Sequence, residues 1–331
     1  MAVTLREVAN RAGVSRSAVS RTFTPGASVS AKTRAKVEAA AQALGYSPNA
    51  LASGLTTGRT KLIGLISDNF HNPIFLEVFD RFTRTLQERG LRPLLVNLSG
   101  ETDPAQSVRM LRQYSVDGVI VASSTLPPSF AEAFHDAGLQ VVHSFGRATD
   151  HPKTHIVGID NVACGRMAAR ALLARGYSSV GFLGGPEAAT STQDRLAGFA
   201  DEIAGRCDLS HSFAAAYSFA AGRAEMQRLL EAPTRPQAYF CGDDVLSIGA
   251  LSAIRDHGLR VPEDIGLIGL NDMEMAGWEN IALTTIRQPI DRIITASVDL
   301  VVAMLETPDT APQVQVFECD VVERGTLRAR P

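Results

Sequence analysis

Thr4-Leu5-Arg6-Glu7-Val8-Ala9-Asn10-Arg11-Ala12-Gly13-Val14-Ser15-Arg16-Ser17-Ala18-Val19-Ser20-Arg21 is the stretch on which the reading of this chain turns. Thr4 followed three residues later by Glu7 is a capping-box pattern: the hydroxyl serves a free helical N–H and the carboxylate reaches back to the cap. Leu5, Val8, Ala9 and Ala12 recur at helical spacing and form one apolar stripe, while Arg6, Glu7, Asn10 and Arg11 face water. Gly13 ends this helix because it takes a positive φ without steric cost. Ser15 then caps a second helix that turns Arg16, Ser17 and Arg21 outward and Val19 inward. A third helix follows Ser30, buries Val37, Ala40, Ala41 and Leu44, and closes at Gly45. This is the layout of a helix-turn-helix, a unit whose second helix enters the major groove of DNA.

Charge separates this segment from the rest. Residues 1–61 hold nine Lys and Arg against Glu7 and Glu38, a net of +7, and because the chain is −3 overall the remaining 270 residues carry about −10. A short basic unit on an acidic body suits phosphate attraction through counterion release, although a solvated helical domain with a chance excess of arginine would read the same way. Next comes Tyr46-Ser47-Pro48-Asn49-Ala50-Leu51-Ala52-Ser53-Gly54-Leu55-Thr56-Thr57-Gly58-Arg59-Thr60, which opens with a proline suited to a first helical turn and ends in a Gly/Thr linker. Its apolar stretch is too short to be helical alone in water, and Gly54 weakens it by roughly 1 kcal/mol relative to Ala. It is expected to order only with DNA and a second copy of the chain.

Seven stretches together resemble the LacI/GalR family of bacterial transcriptional regulators: Thr-Leu-Arg-Glu-Val-Ala from Thr4, Gly-Val-Ser-Arg from Gly13, Val-Ser-Arg from Val19, Gly-Tyr-Ser-Pro-Asn-Ala from Gly45, Thr-Gly-Arg-Thr from Thr57, Leu-Arg-Val-Pro-Glu-Asp from Leu259 and Leu-Thr-Thr-Ile-Arg-Gln-Pro from Leu283. The resemblance covers essentially the whole chain. It implies a cytoplasmic homodimer, a repressor on a palindromic operator in double-stranded DNA, with Ser15, Arg16, Ser17, Ser20, Arg21 and Asn49 as DNA contacts. It also implies that Leu55 wedges into the minor groove at the operator centre. The family often has Arg then Ser before that leucine, whereas this chain has Ser53 and Gly54.

The fold expected is α/β: an N-terminal helix-turn-helix domain at 1–47, a hinge helix and linker at 48–60, and a two-lobed periplasmic-binding-protein-like domain of doubly wound parallel sheets at 61–331. One lobe takes about 61–159 plus 288–317, and the other about 160–287 plus 318–331. The 45% apolar content can fill sizeable cores. Leu62–Ser67, Pro93–Asn97, Gly118–Ala122 and Gln140–Phe145 are aliphatic or β-branched runs separated by helix-favouring stretches, and the pattern repeats at Ser179–Leu183, Ala238–Cys241 and Ile265–Leu270. Phe75, Phe79, Phe82 and Leu86 read as a helical core stripe.

Other classes find little support. Gly181-Phe182-Leu183-Gly184-Gly185-Pro186 lacks the dinucleotide fingerprint and reads as a turn after a strand. Cys164, Cys207, Cys241 and Cys319 have no metal-like spacing, and Cys164 and Cys241 are the candidates for deepest burial. His151 and His155 flank Pro152 and read as loop histidines. No cofactor, metal, signal peptide or membrane partner is expected, and with no nucleophile–base pair or phosphate loop a sugar-processing enzyme is the lesser alternative.

Ligands of open α/β sheets sit beyond the carboxyl ends of strands. This places Asp68, Asn72, Arg147, Arg195, Asp243 and Asn271 as effector-binding candidates, with Tyr217 and Trp278 as stacking aromatics or plain packing. Arg195 is expected on a loop between the lobes, Arg147 is free to pair with Asp150, and Asp244 reads as a helix cap. By resemblance Arg195, Asp243 and Asn271 fall on effector-contacting positions, where many members carry Asp in place of Asn271. The effector expected is a sugar or sugar acid, inducer and corepressor being alike in sequence.

Overall fold

The computed structural model describes residues 3–24, 26–47, 54, 58–98, 103–308 and 310–331. The chain falls into two units, Met1–Lys61 and Leu62–Pro331. In the first, α1 (Leu5–Ala12), α2 (Arg16–Thr22) and α3 (Ala31–Leu44) form as their caps dictate. The Thr4 N–H donates to Glu7 Oε2 at 2.7 Å while the Glu7 N–H donates to Thr4 Oγ1 at 3.4 Å, so the capping box is closed. Ser15 and Ser30 accept from the Ala18 and Thr33 N–H groups, each at 3.2 Å. Val8, Ala9, Val19, Val37, Ala40 and Ala41 make the core, ringed by Leu5, Ala12, Phe23, Leu44 and Tyr46. Arg34 Nη1 donates to the Thr22 carbonyl at 2.9 Å and pins α3 to the end of α2.

The second unit is built of two six-stranded sheets. The first lobe takes β1 (Leu62–Ser67), α4 (Ile74–Glu88), β2 (Arg92–Asn97), α5 (Pro104–Gln113), β3 (Gly118–Ala122), α6 (Pro128–Asp136), β4 (Val141–Ser144) and β5 (His155–Ile159). The chain then crosses into the second lobe for α7 (Asn161–Leu173), β6 (Ser179–Gly184), α8 (Thr190–Ile203), β7 (Asp208–Phe213), α9 (Phe219–Leu230), β8 (Ala238–Cys241), α10 (Asp244–Asp256), β9 (Gly266–Asn271) and β10 (Thr285–Arg287). It returns for α11 (Ile290–Glu306) and β11 (Val314–Phe317), and crosses a third time for β12 (Asp320–Val322).

Strand order is β11-β5-β4-β3-β1-β2 in one sheet and β12-β10-β9-β8-β6-β7 in the other. Pairing is parallel except between β10 and β12. In each sheet the order reverses beside the first strand of the lobe, which opens a crevice at the carboxyl ends. β1, β3, β8 and β9 are buried almost throughout, as strands covered by helices on both faces must be. Phe82 and Leu86 are fully buried on α4, as their spacing requires. Among the described residues no helix is long and apolar enough to cross a membrane, and no cluster of side chains could hold a metal ion.

Two expectations are corrected at this level. His155 is not in a loop but buried in β5, where Nδ1 accepts from the Gln313 N–H at 3.1 Å and burial pushes its pKa down. The sequence reading also lacked β5, β7, β10, β11 and β12.

Candidate functional site

On the first unit, Ser15, Arg16, Ser17, Ser20 and Arg21 are all exposed along α2. Ser15 and Ser17 join their hydroxyls at 2.9 Å, and Arg21 Nε reaches back to the Ser17 carbonyl at 3.4 Å. The Arg16 guanidinium, at the first position of the helix, has no partner among the described residues. A planar fork of donors at a helix N-terminus suits a guanine edge. Asn49 and Leu55 lie outside the described residues, and of the segment around them Gly54 is described, as helical and buried.

On the second unit, loops and helix starts beyond the carboxyl ends of both sheets line one cavity. The first lobe contributes Asn69, Asn72, Ile74, Phe75, Val78, Ser124 and Phe145. Arg195, Tyr217, Asp243 and Asn271 come from the second, and Gln288 and Ile290 from the chain that returns between them.

Asp243 stands at the centre of the polar side. It is the N-cap of α10, its Oδ1 accepting from the Val245 N–H at 2.8 Å. Its Oδ2 accepts from Asn72 Nδ2 at 2.9 Å and Asn271 Nδ2 at 2.8 Å, so one carboxylate oxygen is held by amides of both lobes. Burial raises its pKa, opposed by the Val245 bond, by Arg195 and by the two amides.

Asp244, expected as the cap, is instead the first helical residue. It is fully buried, accepting from the Met273 N–H at 2.9 Å and the Thr285 hydroxyl at 2.5 Å. Desolvation, with Asp243 adjacent, pushes its pKa up to about 7.

Arg195 is carried not by a loop but by the second turn of α8, and it is 3% exposed. Nε donates to Asn161 Oδ1 at 2.8 Å and Nη1 to the Gly242 carbonyl at 2.5 Å. Close packing of α7 on α8 seats it there: a Cβ on Gly198 would lie 1.9 Å from the Val162 carbonyl oxygen, and one on Gly165 2.2 Å from that of Arg195. Tyr217 is buried, with its hydroxyl 2.6 Å from that of Thr192.

Strain collects at the same rim. Phe145, Asn271 and Asp272 have φ of 63°, 133° and 59°, each a conformation costing roughly 1–3 kcal/mol outside glycine. Asp272 is held by Arg287 Nε and Arg324 Nη2, both at 2.6 Å.

The lobes meet through α8 as well. Its N-cap, Ala189, supplies no side-chain bond. Instead the Thr190 and Ser191 N–H groups donate to the carbonyls of Thr125 and Ser124 in the other lobe, at 3.2 and 3.1 Å. The helix is capped by its neighbour's backbone. Arg147 secures the contact, with Nε and Nη2 each 2.8 Å from an Asp194 oxygen and Nη2 2.9 Å from the Thr190 carbonyl.

Of the effector candidates, Asn72, Arg195, Tyr217, Asp243 and Asn271 come together on the cavity. Asp68, Arg147 and Trp278 are not among its lining residues. Asp68 accepts from the Thr125 hydroxyl. Arg147 pairs with Asp194 across the lobes and not with Asp150, and Trp278 is 48% exposed beyond the 3-10 turn Glu274–Gly277. Phe75, read as core alone, serves both core and cavity. Ser124, Phe145 and Gln288 escaped the sequence reading, although Gln288 lies in the quoted Leu-Thr-Thr-Ile-Arg-Gln-Pro run.

Comparison with known proteins finds relatives for both units. The family model described as bacterial regulatory proteins, lacI family, matches residues 4–49, and that of a periplasmic binding protein-like domain matches residues 169–327. The chain is 31% identical to the HTH-type transcriptional repressor PurR of Escherichia coli, over 99% of this chain and 98% of that one. It is 28% identical to the E. coli repressor CytR, over 100% and 98%. Among solved structures, the Lac repressor dimer bound to operator and the anti-inducer ONPF superimposes with a TM-score of 0.88 at 26% identity, covering 99% of this chain and 100% of that one. A complex of the transcriptional regulator CelR with cellobiose gives 0.72 at 28%, covering 98% and 99%.

Proposed function

The chain belongs to the LacI family of bacterial regulatory proteins and is a DNA-binding transcriptional repressor; we propose that a sugar or sugar derivative seated between the lobes sets its hold on the operator. The observation that carries this reading is the Asp243 carboxylate, held in one cavity by Asn72 of one lobe and Asn271 of the other. A ligand hydroxyl that replaces the Asn72 bond would couple its own binding to the arrangement of the lobes. Amide and carboxylate groups beside Arg195 supply paired donors and acceptors for adjacent hydroxyls, with Phe75 and Phe145 as apolar surface. Arg195 and Asp243 nearly balance in charge, which favours a neutral polyol over a sugar acid. The solved complex of CelR with cellobiose is in keeping with that class.

In this reading Ser15, Arg16, Ser17, Ser20, Arg21 and Asn49 contact a palindromic operator and Leu55 enters the minor groove. Residues 1–47, 48–60 and 61–331 act as DNA-binding, hinge and effector units of a cytoplasmic homodimer. Exposed apolar side chains on the second unit, Leu76 at 74% and Trp278 at 48%, are what a second copy would cover. Binding, not catalysis, is the task.

The test is a thermal-shift screen of sugars, sugar acids and nucleobases, followed by titration of the best ligand onto protein bound to an operator selected from random DNA. A coupling of about 1–3 kcal/mol would change operator affinity roughly 5–150-fold. Release of DNA makes the ligand an inducer and tightening makes it a corepressor, while a nucleobase as the best ligand would overturn the sugar assignment.

A further inference from the structure

The chain passes between its lobes three times, and two of its four cysteines sit at two of those passages. Cys164 lies in the first turn of α7, immediately after β5 hands the chain to the second lobe, with its N–H donating to the carbonyl of the N-cap Asp160 at 3.0 Å. Cys319 lies in the two-residue passage between β11 and β12. Both line one open groove together with Met167 and Phe317. All four thiols are free, Cys164 buried and Cys319 half-buried, while Cys241 is sealed in the core of its sheet with burial pushing its pKa to about 12.

We propose that Cys164 and Cys319 form a peroxide-reactive dithiol whose disulfide staples the first and third passages between the lobes. Nothing in the repressor's DNA or effector chemistry requires it. The local electrostatics suit it. The adjacent Cys319 side chain is the strongest influence favouring negative charge on Cys164 and the Arg195 cation adds to it; burial and Asp160 act the other way, and the balance holds the Cys164 thiol below its ordinary pKa. A helix N-terminus adds to the same effect. Cys319 is correspondingly held in its protonated form.

The chemistry closes without a further reactant. The Cys164 sulfur attacks one oxygen of hydrogen peroxide, the O–O bond breaks, hydroxide leaves and a sulfenic acid forms. The Cys319 sulfur then displaces that hydroxyl, its proton leaves with it as water, and the S–S bond closes. Two thiols are oxidised and one peroxide is reduced to two waters. Because Asn161 and Cys164 share the turn of α7 that receives Arg195 Nε, the staple also acts on the residue that holds Arg195 in place.

The experiment uses the full-length protein, reduced, desalted and exposed to hydrogen peroxide in slight molar excess. Titratable thiols in denaturant should fall from four to two, and a non-reducing digest should contain one peptide pair joined through Cys164 and Cys319 that dithiothreitol separates. Cys319→Ser should abolish the joined pair, and Cys207→Ser should leave it unchanged. Four thiols surviving, a pair that includes Cys207 or Cys241, or a bond between two chains would each overturn the proposal. The wild-type digest decides the matter even if the Cys319 variant folds poorly.

Discussion

Arg16 and Arg195 carry the same group in opposite settings, and their replacement should fail in different ways. Arg16 is exposed and unpartnered among the described residues at the start of α2, so Arg16→Ala should leave the melting temperature unchanged. It should weaken operator binding by about 1–3 kcal/mol and relax preference at one base pair of each half-site. Selection of operators from random DNA with the variant checks this, and recovery of the parental site at parental affinity would remove Arg16 from the reading surface. Arg195 is buried and holds Asn161 and the Gly242 carbonyl. Arg195→Ala should abolish the response to ligand and also cost stability, about 1–3 kcal/mol from the two acceptors left unpaired in the interior. A urea melt alongside the ligand titration separates the two effects, and a variant of unchanged stability would contradict the burial described. The sequence singled out both arginines as candidates but not this difference, because the depth of a side chain is set by what packs on it. Gly165 and Gly198, which let α7 and α8 close around Arg195, carry no sign of that role in their own neighbourhoods. The adjacent Asp243 and Asp244 show the same limit. Either can cap a helix by local rules, and the choice falls to Thr285, forty-one residues away in sequence, whose hydroxyl claims Asp244.

Helix α8 has an end that its own lobe leaves unsatisfied. With no side-chain acceptor at Ala189, the Thr190 and Ser191 amides depend on the Ser124–Thr125 backbone and on the Arg147–Asp194 clamp that keeps it near. Asp194→Asn keeps the shape but removes the charge from a half-exposed pair, a loss of about 1 kcal/mol. Amide hydrogen exchange at Thr190 and Ser191 should then quicken roughly fivefold in ligand-free protein while amides in β6 and β8 keep their rates. Uniform acceleration would mean that the whole lobe had loosened and that the clamp was not specific. Elements with strong internal signals were legible: the capped helices α1 to α3, and the buried strands β1, β3 and β8, whose bounds match their aliphatic runs. β7 and β12 were not. They are edge strands with one face in water, and Asp208-Leu209-Ser210-His211-Ser212-Phe213 mixes polar residues into a run that becomes a strand only because β6 offers it a ladder.

Across the whole molecule, two buried groups should nearly cancel in their effect on stability against pH. His143 is fully buried, its Nε2 3.1 Å from the Ser123 carbonyl oxygen, and desolvation lowers its pKa from 6.5 to about 4. A depressed pKa contributes stability that is present above 6.5 and lost as pH falls through about 4. Asp244 runs the other way: raised from 3.8 to about 7, it contributes stability that is present below 3.8 and lost as pH rises through about 7. Over the shared window each slope is about 1.4 kcal/mol per pH unit, with opposite signs. Asp244→Asn, whose amide can still accept from Met273 and donate to the Thr285 hydroxyl, removes one of the two. Relative to the parent its unfolding free energy should climb by about 1.4 kcal/mol per unit from about pH 4 to 6.5, and parallel pH profiles in urea melts would refute the assignment. The order of strands has a consequence for synthesis. Residues 1–61 contain every residue of the DNA-reading core while residues 62–331 are still to be made, an interval of about 15–50 s at ordinary translation rates. Both sheets, by contrast, wait for β11 and β12, so on the ribosome the helix-turn-helix unit is complete well before the two-lobed unit can close either of its sheets.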